Sequence, residues 1–113
     1  MSPRLTSQLL VGALVRRTQA AGGNAMVLHK GEPMSGAIVV QLLERGVNRG
    51  LFERMASLSG ALELHPCGPP PDRPDADFAQ YIERRTATDP DIWFVELDTV
   101  SGQQLAAEIL CAG

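Results

Sequence analysis

The chain has 113 residues, 44% of them hydrophobic and 20% charged, and a formal net charge of -3 from 10 basic and 13 acidic side chains. That balance is the composition of a globular chain with one core, and it excludes the disordered and membrane-embedded classes. The acidic excess argues against a broad grip on phosphate backbones, so nucleic acid is not an expected partner. The longest apolar stretches, 9–15 and 36–40, are too short to cross a bilayer, and no leader pattern precedes them, so the expected location is the cytoplasm.

Ser2 before Pro3 is a helix-start signal, because the serine oxygen caps an orphan N–H and proline at the first position has none to satisfy. Leu5, Leu9, Leu10, Ala13 and Leu14 then recur at helical spacing up to Gly22-Gly23, which predicts a helix over 3–21. Residues 25–30 read as a strand, and Gly31-Glu32-Pro33 through Gly36 as the turn of a hairpin into a second strand over 37–44. Gly46 and Asn48 to Gly50 punctuate before a third strand near 51–56, and Gly60 before a fourth near 61–65. The expected sheet is an antiparallel meander.

Residues 66–74 hold five prolines and a glycine, and are expected to cross the surface outside sheet and helix. Asp75 is the expected cap of a second helix through about residue 85, with Phe78 and Ile82 on its inner face and Arg84-Arg85 suited to the negative end of its dipole. Asp89-Pro90 ends it. The run 92–97, Ile-Trp-Phe-Val-Glu-Leu, is the strongest strand signal and is placed centrally in the sheet, while 103–110 fits a short helix or an edge strand.

These elements give one domain over 1–113, of α+β class, with an antiparallel sheet of four to five strands and two main helices on one face. Alternation puts Met26, Leu28, Ile38, Val40, Leu42, Phe52, Trp93, Val95 and Leu97 under the helices. The other face mixes Val27, Val39 and Phe94 with His29, Gln41, Glu53 and Glu96. A half-apolar face of this kind is expected to be covered in part by loops, the C-terminal segment or a second subunit.

Arg16-Arg17 with Gly22-Gly23, Gly31-Glu32-Pro33 with Gly36-Ala37, and above all Asp89-Pro90-Asp91-Ile92-Trp93 followed by Glu96 resemble a family of small bacterial proteins of unknown function, DUF1491. The likeness covers most of the chain. Glu32 stands where the family more often has aspartate, and Ile92 where it more often has leucine. The resemblance implies one compact domain and brings no activity, cofactor or catalytic residue.

Candidate sites are few. Asp89, Asp91 and Glu96 approach a carboxylate cluster of the kind hard cations favour, but residues five apart on a strand point to opposite faces, and Asp-Pro-Asp is a common helix-to-strand turn. His65 and Cys67 share a face without a third ligand at recognisable spacing. The glycine-bounded segment 31–36 lacks the ending of a phosphate loop and leads into a strand. Cys67 and Cys111, far apart, suggest neither a disulfide framework nor a zinc site.

Arg16 and Arg17, with Arg84 and Arg85, make a local basic patch suited to a carboxylate or an acidic partner, although such charges usually form a solvated face. Trp93 reads as a core anchor needing one partner for its N–H. The expectation is a non-catalytic interaction or structural domain, its partner a second copy or another protein, with no metal, cofactor or catalytic residue. The alternative is a small-ligand binder or enzyme with an Asp/Arg pocket between helix and sheet. Arg16, Arg17, Asp89, Asp91 and Trp93 are the candidate binding residues.

Overall fold

The computed structural model describes residues 5–112. Helix α1 (Ser7–Ala20) is followed by β1 (Asn24–His29), β2 (Ile38–Glu44), β3 (Val47–Ala56), β4 (Leu62–Cys67), α2 (Asp75–Thr88), β5 (Trp93–Asp98) and α3 (Gly102–Leu110). The Ser2-Pro3 start lies outside the described residues. Within them α1 begins later than expected, with Thr6 as N-cap accepting from the Leu9 N–H at 3.2 Å. The segment left undecided from sequence is α3, whose Ala106 and Leu110 are buried at an i,i+4 spacing.

The strands form one sheet in the order β1-β5-β2-β3-β4. β2, β3 and β4 are the expected antiparallel meander. The turn from β2 to β3 is the two-residue Arg45-Gly46, both at positive φ (52° and 80°), the conformation that suits a hairpin's twist. The expected hairpin between β1 and β2 does not form. β5 inserts between them, antiparallel to β1 and parallel to β2, so the sheet is mixed rather than antiparallel. The reason lies in β5: Trp93, Phe94, Val95 and Leu97 are all buried, and a strand apolar on both faces excludes water only in the middle of a sheet.

The helices occupy both faces, which corrects the expectation of two main helices on one side. α1 and α3 cover one face, packing Leu10, Val11, Leu14, Ala106 and Leu110 on Ile38, Val40, Leu42, Trp93, Val95 and Leu97. α2 covers part of the other, seating Phe78 on Val39, Leu51, Ile92 and Phe94. The half-apolar second face is thus covered in part, and by α2, a helix expected on the first face. α2 carries Pro74, not Asp75, at its N-cap, and Asp75 opens the first turn without a side-chain cap bond. Pro66, expected to end the ladder, lies within β4 opposite Phe52, as an edge strand allows. Met26 and Leu28, expected under the helices, are 58% and 38% exposed: β1 is the other edge, and its register turns Ala25 and Val27, opposite Leu97 and Val95, toward α1 while Met26, opposite Glu96, faces the other way.

Candidate functional site

Two of the segments that carry the sequence resemblance, 31–36 and 89–93, meet where β5 begins, while Gly23 lies against Asp98 and Thr99 at its other end. The Asp89 carboxylate accepts the Asp91 N–H at 3.1 Å and its carbonyl accepts the Ile92 N–H at 3.2 Å, which makes the Asp-Pro-Asp turn. The Asp91 carbonyl then accepts the Glu32 N–H at 2.9 Å. Gly31 and Gly36 flank that bond so tightly that a Cβ on either would overlap the Asp91 carbonyl. The Trp93 indole N–H donates to the Glu32 carbonyl at 2.9 Å, so the expected core anchor has its partner. His29, half-buried, holds the same junction: its Nδ1 lies 2.7 Å from the Ile92 carbonyl, which can only accept, so Nδ1 is the protonated nitrogen.

Glu32 organises the loop from its side-chain end as well. Its carboxylate accepts the Ser35 N–H at 2.7 Å, the Met34 N–H at 3.0 Å and the Ser35 hydroxyl at 3.3 Å. The Ser35 and Met34 N–H groups hold its pKa below the usual carboxylate value. The start of α1 rests on this loop: the Ser7 and Gln8 N–H groups donate to the Met34 and Pro33 carbonyls at 3.2 and 2.9 Å, and the Ser7 hydroxyl donates to the Gly36 carbonyl at 2.7 Å. The orphan donors of the helix are thereby satisfied by protein.

The arginine pairs do not converge on these aspartates. Arg17 pairs with Glu108 of α3 at 3.1 Å, both exposed, and Arg16 is exposed with its guanidinium against Gly12. Arg85 reaches the opposite face of the sheet, where it donates to the Tyr81 hydroxyl at 2.7 Å and to Glu53 at 3.1 Å. Cys67 packs beside this group, and burial pushes its thiol pKa up despite the Tyr81 hydroxyl nearby. A thiol so placed is a weaker nucleophile than a free cysteine at neutral pH. Across the sheet, burial also raises Cys111. Among the described residues no three His, Cys, Asp or Glu side chains are grouped to hold a metal ion.

Two open grooves flank Arg49. One of about 320 Å³ runs from Glu44 and Phe52 to Ser101 and Gln103 at the start of α3, and one of about 200 Å³ lies between Leu51, Cys67 and the proline segment. Arg16, Arg17, Asp89, Asp91 and Trp93 border neither.

The feature that sequence reasoning missed is the free edge of β1. Asn24–His29 carries no Asp, Glu, Lys, Arg or Pro, pairs only with β5, and leaves Met26, Val27 and Leu28 consecutively exposed at 58, 40 and 38%. Edge strands are commonly blunted by charge, proline or a bulge. β4, the other edge, has Pro66 and Glu63, whereas β1 has only a register slip between Val27 and His29. Nothing in the residues themselves marks Met26 and Leu28 as exposed. Their position becomes visible only once β5 is known to separate β1 from β2.

The family model for DUF1491, described as a protein of unknown function, matches residues 5–107. Among solved structures, the crystal structure of a DUF1491 family protein from Caulobacter crescentus CB15 is 30% identical to the chain with a TM-score of 0.78, over 90% of this chain and 94% of that one. The NMR structure of a DUF1491 family protein from Caulobacter crescentus CB15 is 31% identical with a TM-score of 0.75, over 92% and 94%. The solution structure of protein Atu0922 from A. tumefaciens is 30% identical with a TM-score of 0.69, again over 92% and 94%. No curated protein matches the chain.

Proposed function

We propose that this chain, which belongs to the DUF1491 family of proteins of unknown function, is a non-catalytic protein-interaction domain whose docking element is the free edge of β1. The observation that carries the reading is the exposed, uncharged run Met26-Val27-Leu28 on an edge strand. An extended segment laid antiparallel along it gains main-chain hydrogen bonds, and apolar side chains on alternate faces supply the selectivity. In this reading Asp89, Asp91 and Trp93 are positioning residues: they fix β5, and β5 holds β1 in place. Arg16 lies exposed on α1, its guanidinium against Gly12 of the same helix.

The reading takes residues 1–113 as a single domain, supported by the one sheet to which every strand belongs. No helix among the described residues is long and apolar enough to cross a membrane. The composition supports a cytoplasmic location.

Selection of a displayed library of ten-residue peptides on the folded protein, followed by amide chemical-shift mapping, tests the reading. Selected peptides are expected to shift and protect the amides of β1, and Met26→Lys to weaken them at least tenfold with an unchanged circular dichroism spectrum. A footprint elsewhere, or binding indifferent to Met26→Lys, would sink it.

A further inference from the structure

The two faces of the sheet differ in charge beside the free edge of β1. Ala25 and Val27, opposite Leu97 and Val95, turn toward α1 and the main core, whereas Asn24 and Met26, opposite Asp98 and Glu96, turn toward the face that α2 covers in part. The core under α2 takes in Ile92 and Phe94 of β5 and does not extend to Glu96 and Asp98. Those two carboxylates stand in a row one strand behind the edge, part-exposed, and among the described residues neither forms an ion pair. The Asp98 carboxylate accepts the Arg45 and Gly46 N–H groups at 2.9 and 3.0 Å, which leaves its charge in place and further acceptor sites open. Arg45 thus reaches it through the main chain only. We infer that the segment that docks on β1 is basic along one side: it carries Lys or Arg at two positions, i and i+2, which stand opposite Met26 and Asn24, and apolar residues at the alternate positions, opposite Ala25 and Val27.

The pitch of a strand selects this pattern. Residues two apart share a face and lie about 7 Å from each other, the same step that separates Glu96 from Asp98, so one extended segment presents two cations to two carboxylates in register. The segment lies two strand spacings, about 10 Å, from β5, with β1 between them. Asn24 is short, and Met26 is 58% exposed, so a Lys or Arg stem crosses β1 with its methylenes on the thioether and its charge at the carboxylate, an arrangement such side chains favour. An acidic segment would set its charges against Glu96 and Asp98, and a wholly apolar one would leave both unpaired. The row therefore discriminates among segments that make the same main-chain bonds. On the other side of the segment, the alternate residues meet Ala25 and Val27 at the margin of the main core, where apolar side chains extend that core.

Each of these ion pairs is part-exposed and shifts an equilibrium by up to about fivefold, so the two together change the affinity by about tenfold and give it a salt dependence that main-chain bonds and apolar contacts lack.

This inference rests on β1 being the docking edge and adds the charge of what docks there. Three ten-residue peptides of one alternating apolar frame, with Lys, Gln or Glu at the two chosen positions, are titrated into the folded protein and followed by the amide chemical shifts of β1. In low salt the Lys peptide is expected to bind about tenfold more tightly than the Gln peptide, and the Glu peptide more weakly than either, with 0.5 M salt removing most of the difference. Glu96→Gln is expected to cut the advantage of Lys over Gln at least twofold, whereas Glu63→Gln, the same change in net charge on the other edge strand, leaves it in place. Equal binding of the three peptides, or an advantage that Glu96→Gln does not lower or that Glu63→Gln lowers equally, overturns the charge assignment and leaves the docking edge standing. If none of the peptides binds at β1, both fail. Amides of β1 that shift with protein concentration alone would make the occupant a second copy and overturn the assignment as well.

Discussion

Glu32 shows how one side chain couples local chemistry to tertiary structure. Its carboxylate gathers the Ser35 and Met34 N–H groups, while its main chain bonds Asp91 and receives the Trp93 indole N–H. Those two N–H groups, Ser35 first, lower its folded pKa below the ordinary value of 4.5. A folded pKa that is depressed adds stability above the unfolded pKa, and that stability disappears as the pH falls through the folded value. The native protein is therefore expected to lose stability progressively below about pH 4.5. Glu32→Gln, which keeps the loop's size but not its charge, should flatten that part of the acid limb. Urea midpoints from pH 3 to 6 measure the difference, and parallel curves for the two proteins would show that the carboxylate does not titrate with folding. Trp93 was legible as a core anchor from its place in an apolar run. Its partner was not, since a backbone carbonyl 61 positions away carries no sequence signal.

At the scale of elements, α2 is fastened to the sheet by two different means. Phe78 fills the small second core, and Arg85 ties the far end of the helix to Glu53 of β3 and to Tyr81 one turn back. The Arg85 and Glu53 side chains retain 30 and 19% exposure, so solvent screens the pair only in part. A double-mutant cycle of Arg85→Met and Glu53→Gln is expected to give a coupling of about 0.5–1 kcal/mol by urea unfolding. A value near zero would mean that the apolar contacts alone hold α2. The placement of α2 on its own face was not legible, because an amphipathic stripe says that a helix covers a core and not which side of the sheet that core lies on. Strand positions were largely legible from alternation and turn residues, and strand neighbours were not. The turn chemistry between Gly31 and Gly36 fits a hairpin and a wider connection equally well. For the same reason the free edge of β1 was hidden: Met26 and Leu28 have the composition of core positions, and only the strand order makes them an edge.

For the whole molecule the decisive event is the entry of β5 between β1 and β2. The connection at 31–36 must hold those strands two spacings apart, about 10 Å, and shape the slot that β5 enters. It does so through the hydrogen bonds to α1, to Asp91 and within the loop, whereas the proline segment between β4 and α2 is exposed from Pro70 to Pro74, with a turn bond from the Arg73 N–H to the Pro70 carbonyl and, where α2 opens, a bond from the Asp77 N–H to the Pro74 carbonyl. Two loops of similar turn composition therefore differ in what they do, and an insertion reads the difference. Five Gly/Ser residues placed between Pro71 and Asp72 lengthen a solvated connection and break one bond, at a cost of about 1 kcal/mol. The same five residues between Pro33 and Met34 separate the acceptors of Gln8 and Ser7, part the Glu32 carboxylate from both of its N–H donors, and loosen the carbonyl that holds Trp93. With four or more bonds at about 1 kcal/mol each, the expected loss exceeds about 3 kcal/mol. Urea unfolding of the two insertion variants compares them directly. Equal losses would mean that β5 finds its place without the loop, and the mixed sheet would then owe its order to the apolar run of β5 alone.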